Sequence, residues 1–204
     1  GKLFENPDAG IRNGAAQALM FAVRKGTDVS PLLPVLVKDL AETPSNKVVL
    51  ADVIANIHIR TGMPKTLLMH QDPAVRFSAA CAYREAAMGG IDLSPGLSAL
   101  RSALSGPDND VKRTAAEALA YFYGSRGLWK ENDNLLSERD GGVRYAAADA
   151  LSRFAGRFSL SDVPNLLKAA NDPQSDVRRC AIGVIRGAAE KGLDISPALS
   201  ALEK

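Results

Sequence analysis

The sequence predicts an all-α solenoid of about six short helix pairs. Three observations carry that prediction. A motif of about a dozen residues recurs along the chain, each copy has the apolar spacing of one helix face, and the alternating β-branched runs that sheets need are missing. The 204 residues are 46% hydrophobic and 24% charged but only 5% aromatic, which suits alanine-rich helices with a packed core.

The repeat is clearest in four segments: Asp8 to Leu19, Asp72 to Tyr83, Asp108 to Leu119 and Asp140 to Leu151. A fifth copy, Asp176 to Ile185, keeps the frame from its valine onward, and a degenerate copy runs from Asn46 to Ile57. The equivalent branched residues are Ile11, Val49, Val75, Val111, Val143 and Val177, spaced 38, 26, 36, 32 and 34 residues apart, a solenoid-type period. Apolar side chains follow each at the fourth, fifth and eighth positions, as in Ile11, Ala15, Ala16 and Leu19, so they share one helical face. The paired alanines let neighbouring helices approach closely and lose almost no side-chain entropy. Aspartate at the start suits an N-cap and the positive end of the helix dipole.

Each first helix is followed by a turn and a shorter second helix. Three copies share one turn: Gly26 to Pro31, Gly90 to Pro95 and Gly192 to Pro197. Glycine ends the helix in the left-handed conformation, and Ser-Pro is expected to cap the next one. The second helices then carry Leu33, Leu36 and Leu40, or Leu97, Leu100 and Leu104, with Val163, Leu166 and Ala170 in the fifth copy. Two copies are abbreviated: only Lys65 to Met69 is left for a second helix in the second, and Glu131 to Ser137 in the fourth. The glycine pairs Gly89-Gly90 and Gly141-Gly142 are expected in turns. One repeat domain over 1–204 is expected, with repeats at approximately 8–42, 43–70, 71–106, 107–138, 139–171 and 172–204.

The frame Asp-x-x-Val-Arg-x-x-Ala-Ala-x-Ala-Leu resembles the first helix of HEAT repeats, in particular the short HEAT-like type of phycobilisome lyases, over residues 8–204. The signatures of ankyrin and tetratricopeptide repeats are absent. The resemblance implies a ladder of the motif aspartates and cations between successive repeats. Its members here are Asp8, Arg12, Asp72, Arg76, Asp108, Lys112, Asp140, Arg144 and Arg178. The second copy has Asn46 for the aspartate and Leu50 for the arginine, so an interruption is expected there. In the sixth, either Asp172 or Asp176 serves as the cap. The resemblance also implies that the second helices line a concave face.

Composition points away from several chemistries. Net charge is +2, and neither half is a basic arm or an acidic tail. Cys81 and Cys180, 99 residues apart in helical patterns, read as reduced, largely buried thiols. His58 and His70 lack the paired His-Glu steps of iron-binding HEAT-like hydroxylases, so no metal is expected. No cofactor, no catalytic residues and no membrane span are expected, and a cytoplasmic location is.

Two groups remain as candidate binding residues. Tyr121, Phe122, Tyr123 and Trp129, with Arg126 and Lys130, either fill the space beside the short fourth-repeat helix or anchor a partner. Lys38, Arg101 and Lys168 lie off the leucine stripes of the second helices, as solvated surface or as a binding patch. The expected function is a non-catalytic scaffold or adaptor for a protein partner. The alternative is a nucleic-acid-binding module resembling the HEAT-like alkylpurine DNA glycosylases. Only seven residues precede the first motif and the last helix is short, which leaves open a fragment of a longer chain and end-to-end self-association.

Overall fold

The computed structural model describes residues 3–4, 6–42, 46–61 and 66–202. The described residues form eleven α-helices joined by turns and short 3₁₀ segments. Contacts divide the chain into two compact units, Gly1–Ala103 and Leu104–Lys204.

In the first unit, α1 (Ala9–Arg24), α3 (Lys47–Thr61) and α4 (Pro73–Met88) pack side by side in chain order. The short α2 (Leu33–Glu42) lies against α3. A 3₁₀ turn, Thr66–Met69, lies against α4 and α5 (Leu97–Ala103). The whole run Leu50–Ile59 of α3 is buried. A helix enclosed on all sides needs no amphipathic pattern, which is why this copy of the motif is degenerate. The expected second helix here is that single 3₁₀ turn, and Lys65 lies outside the described residues.

In the second unit, α6 (Asn109–Ser125), α8 (Gly141–Ser152) and α10 (Ser175–Glu190) form the long layer. The short α7 (Trp129–Leu135), α9 (Pro164–Ala169) and α11 (Ser196–Leu202) form the other. The alanine frame is buried as its spacing predicts: Val143, Ala147, Ala148 and Leu151 are all enclosed, as are Val177, Ala181 and Ile185. Ile11 departs from it, at 43% exposure, because α1 packs along its following side on α3 and no described helix covers its other side.

Turn chemistry follows the sequence with two corrections. Gly26, Gly90 and Gly192 take positive φ at 92°, 76° and 73°, Gly127 ends α6 in the same way, and Gly156, also at positive φ, lies in the turn beyond α8. The cap of the next segment is aspartate rather than serine: Asp28, Asp92 and Asp194 accept the backbone N–H of Ser30, Ser94 and Ser196 at 2.9, 3.1 and 2.8 Å. Bonds from the Ser30 and Ser196 side chains, and then from these backbone N–H groups, hold the Asp28 and Asp194 carboxyls below the usual range. Gly141 and Gly142 are not in a turn but begin α8, capped by Asp140. A Cβ on Gly141 would lie 2.0 Å from the end of the exposed Gln174 side chain, which would have to move aside. Cys81 and Cys180 are half-buried and not joined in a disulfide, less enclosed than expected, and burial pushes the Cys180 thiol up.

Candidate functional site

The motif cations have two jobs. Arg12, Arg76, Arg144 and Arg178 each turn Nη1 back onto the two carbonyls five and six residues earlier. For Arg178 these are Asp172 and Pro173, at 2.7 and 3.0 Å. The guanidinium thereby closes the loop before its own helix and leaves Nε and Nη2 for a neighbour. Arg144 uses them on Asp172, Nε to Oδ2 at 2.6 Å and Nη2 to Oδ1 at 3.0 Å, a bidentate pair that lysine cannot reproduce. Lys112 reaches Asp140 with its one nitrogen at 3.3 Å.

These contacts act on the carboxyls. Burial alone would raise Asp172, but the Arg144 bonds, the Gln174 N–H and the Arg178 charge outweigh it and hold it below the ordinary range. The same contest, with Val143 and Gly142 N–H groups and Lys112, lowers Asp140. Asp172 therefore serves the sixth repeat, while the exposed Asp176 pairs with Arg179 on its own helix at 2.9 Å. Asp8 caps α1 through the Gly10 and Ile11 N–H groups at 2.7 and 3.4 Å, and Asp108 is the residue before α6.

The expected interruption at the second repeat needs correcting. Leu50 is buried, but Lys47, one turn earlier on α3, extends its amine to Asp72 at 3.2 Å and lowers that carboxyl. Between α1 and α3 no such rung forms among the described residues. Asn46 donates to Asp39 at 3.2 Å, and Arg12 Nε is buried without a partner. A different bridge holds those helices. Arg24 at the end of α1 reaches Asp52 on α3 at 3.2 Å and Glu85 on α4 at 2.8 Å.

The aromatic group divides. Tyr121 and Tyr123 are core residues, at 6% and 3% exposure, which is the space-filling alternative rather than an exposed anchor. Tyr121 meets Phe154 edge-on, and Trp129, half-buried, packs on Phe154 and Phe158 with ring centroids 6.1 and 5.0 Å away. These rings fill the space beside the seven-residue α7. Arg126 lies exposed over the Phe122 ring at 3.9 Å, and Lys130 is exposed.

Lys38, Arg101 and Lys168 are all exposed on α2, α5 and α9, while Leu36, Leu100 and Leu166 beside them are fully buried. Lys168 donates to Asn165 at 3.0 Å. Lys38 borders an open cavity of about 480 Å³ with Arg12, Asp39 and Glu42, two cations against two acids. Among the described residues no group of three His, Cys, Asp or Glu side chains gathers as a metal site. His70 instead accepts the Asp72 N–H at 3.0 Å.

Two polar residues had no signal in the motif. Asp133 on α7 accepts the N–H groups of Asn165 and Leu166 at 2.8 and 3.3 Å, so it caps α9 from the preceding repeat. Asn132, fully buried, donates to the Ala120 carbonyl at 3.1 Å. A polar pair inside an abbreviated helix was the available clue.

This architecture is that of an all-α repeat solenoid. Within it, residues 97–186 match the family described as HEAT repeats. The fold is similar to that of an engineered protein solved by a structural genomics consortium, with a TM-score of 0.54 and 23% identity over 94% of this chain and 96% of that one. It is also similar to a designed armadillo repeat protein, with a TM-score of 0.52 and 17% identity over 92% and 97%. No curated protein matches the chain.

Proposed function

We propose that the chain is a non-catalytic scaffold that binds a protein partner through its second-helix surface, as one repeat domain in the cytoplasm. The observation that carries this reading is the division of labour on α2, α5 and α9. Leu36, Leu100 and Leu166 are fully buried, while Lys38, Arg101 and Lys168 project into solvent, so the surface is free to vary without disturbing the core. HEAT and armadillo-like folds commonly serve protein interaction, and no described helix is long and apolar enough to cross a membrane.

The test is a pull-down with the intact chain and with Lys38→Glu, Arg101→Glu and Lys168→Glu combined. A specific protein captured by the first and lost by the second supports the proposal. Capture that ignores the reversals overturns it. A parallel titration with duplex DNA checks the alternative, since phosphate binding weakens steeply with salt.

A further inference from the structure

We propose that two successive turns of the second unit, Arg126–Lys130 and Arg153–Phe158, form a docking edge for an acidic segment of a partner protein, with Trp129 as its apolar anchor. The edge includes none of Lys38, Arg101 and Lys168, so it stands apart from the second-helix surface.

These turns break the chemistry of the others. Gly26, Gly90 and Gly192 are each followed two residues later by an aspartate that caps the next segment. Gly127 and Gly156 share their positive φ, but Trp129 and Phe158 stand at the aspartate position. Accordingly α7 begins without a side-chain cap, and α9 takes its cap from Asp133. Trp129 packs on Phe158 at 5.0 Å and on Phe154 at 6.1 Å, which accounts for the aromatic residues. It does not account for the cations. Residues 125–130 and 153–158 hold Arg126, Lys130, Arg153 and Arg157 and no acid, where each of the other turns holds its aspartate.

Aromatic rings hold the arginines in place. Arg126 lies over Phe122 at 3.9 Å, Arg153 over Tyr121 at 5.4 Å and Arg157 over Phe154 at 5.6 Å. A guanidinium held on a ring face keeps its N–H donors at the rim, set for a carboxylate, and loses little further freedom on binding one. Lys191 adds its amine from the end of α10, donating to the Ala155 carbonyl and lying against Gly156. Among the described residues Lys130 and Arg157 meet no carboxylate, whereas Lys112 and Arg144, near the starts of α6 and α8, are committed to Asp140 and Asp172. Trp129 is half-buried and Leu128 beside it is 38% exposed, which adds an apolar contact.

The same turns fit a peptide better than a nucleic acid. Glu131, Asp149, Asp162 and Glu190 flank them in the sequence. Those carboxylates would repel a continuous phosphate backbone, whereas a peptide can place its own acids opposite the cations alone.

Trp129 is the only tryptophan of the chain, so its emission reads the site directly. The 204-residue protein is titrated with a short peptide alternating glutamate and serine around one central leucine, and with the same peptide carrying glutamine for glutamate. The acidic peptide should shift Trp129 emission saturably, with an affinity that falls as salt rises, and the glutamine peptide should not. Lys130→Glu combined with Arg157→Glu, both at exposed positions, should weaken binding about tenfold or more. Arg157→Gln, which keeps a stem over Phe154, should weaken it less, and circular dichroism checks the helicity of each variant. The Lys38, Arg101 and Lys168 reversals should leave it unchanged. An emission that ignores the acidic peptide, an equal response to both peptides, binding that survives the double reversal, or tighter binding of a single-stranded oligonucleotide would overturn the proposal.

Discussion

Arg144 and Asp172, 28 residues apart on successive repeats, meet through two parallel hydrogen bonds of 2.6 and 3.0 Å while both side chains are nearly enclosed. The same arginine holds the Glu138 and Arg139 carbonyls, so one side chain ties a loop, a helix and the next repeat together. Arg144→Ala should cost about 3 kcal/mol, because it strands a buried carboxylate. Arg144→Lys should fall between that and wild type, since one amine replaces a planar fork. Urea unfolding of both variants is the measurement.

Asp172 also sets an acid limit. Its folded-state carboxyl titrates below the unfolded one, so its contribution is complete above the unfolded value of roughly 3.9 and is lost as pH falls through the folded value. Asp140 acts in the same direction. Stability should therefore drop in acid, and Asp172→Asn should show a shallower drop in unfolding midpoints measured down the acid range.

Asp52 works the opposite way. Burial raises it first, and the Glu85 charge adds to that, against the Arg24 charge and bonds from Arg24 and Asn56. A carboxyl that binds its proton more tightly when folded favours the fold most at low pH, and that contribution is lost as pH rises through its folded value. Asp52→Asn should thus be better tolerated at neutral pH than in acid. A urea midpoint that moves equally at both would refute the assignment.

Glycines inside helices give a pair of opposite outcomes. A Cβ on Gly124 would lie 2.4 Å from the Phe154 ring, so Gly124→Ala should destabilise by about 1–3 kcal/mol through overpacking. Gly14 has nothing within 4 Å, and Gly14→Ala should stabilise by about 0.5–1 kcal/mol. Thermal melts of the two variants side by side decide it.

Asp133→Ala should lower stability by about 1–2 kcal/mol by uncapping α9, and Asp133→Asn should recover most of it. Hydrogen exchange at the Asn165 and Leu166 amides would locate the effect.

What was legible in the sequence was whatever depends on helical period and local turn chemistry. Val143, Ala147 and Leu151 lie on one face because of their spacing, and Gly26, Gly90 and Gly192 end helices because only glycine takes that φ cheaply. Tertiary packing decided the rest, because it joins residues that local patterns treat as independent. Leu50 ended the motif on paper, yet Lys47 one turn away on the same helix reaches Asp72. For Tyr121 and Tyr123 the sequence left two readings, a filled space beside the short fourth-repeat helix or a partner anchor, and their rings are buried with Phe154 and Trp129 beside α7. Ile11 shares its motif position with Val143 and differs only in having no described helix beside it. The repeated frame thus determines each helix and its faces, and neighbours in space decide which of those faces are buried, paired or left open.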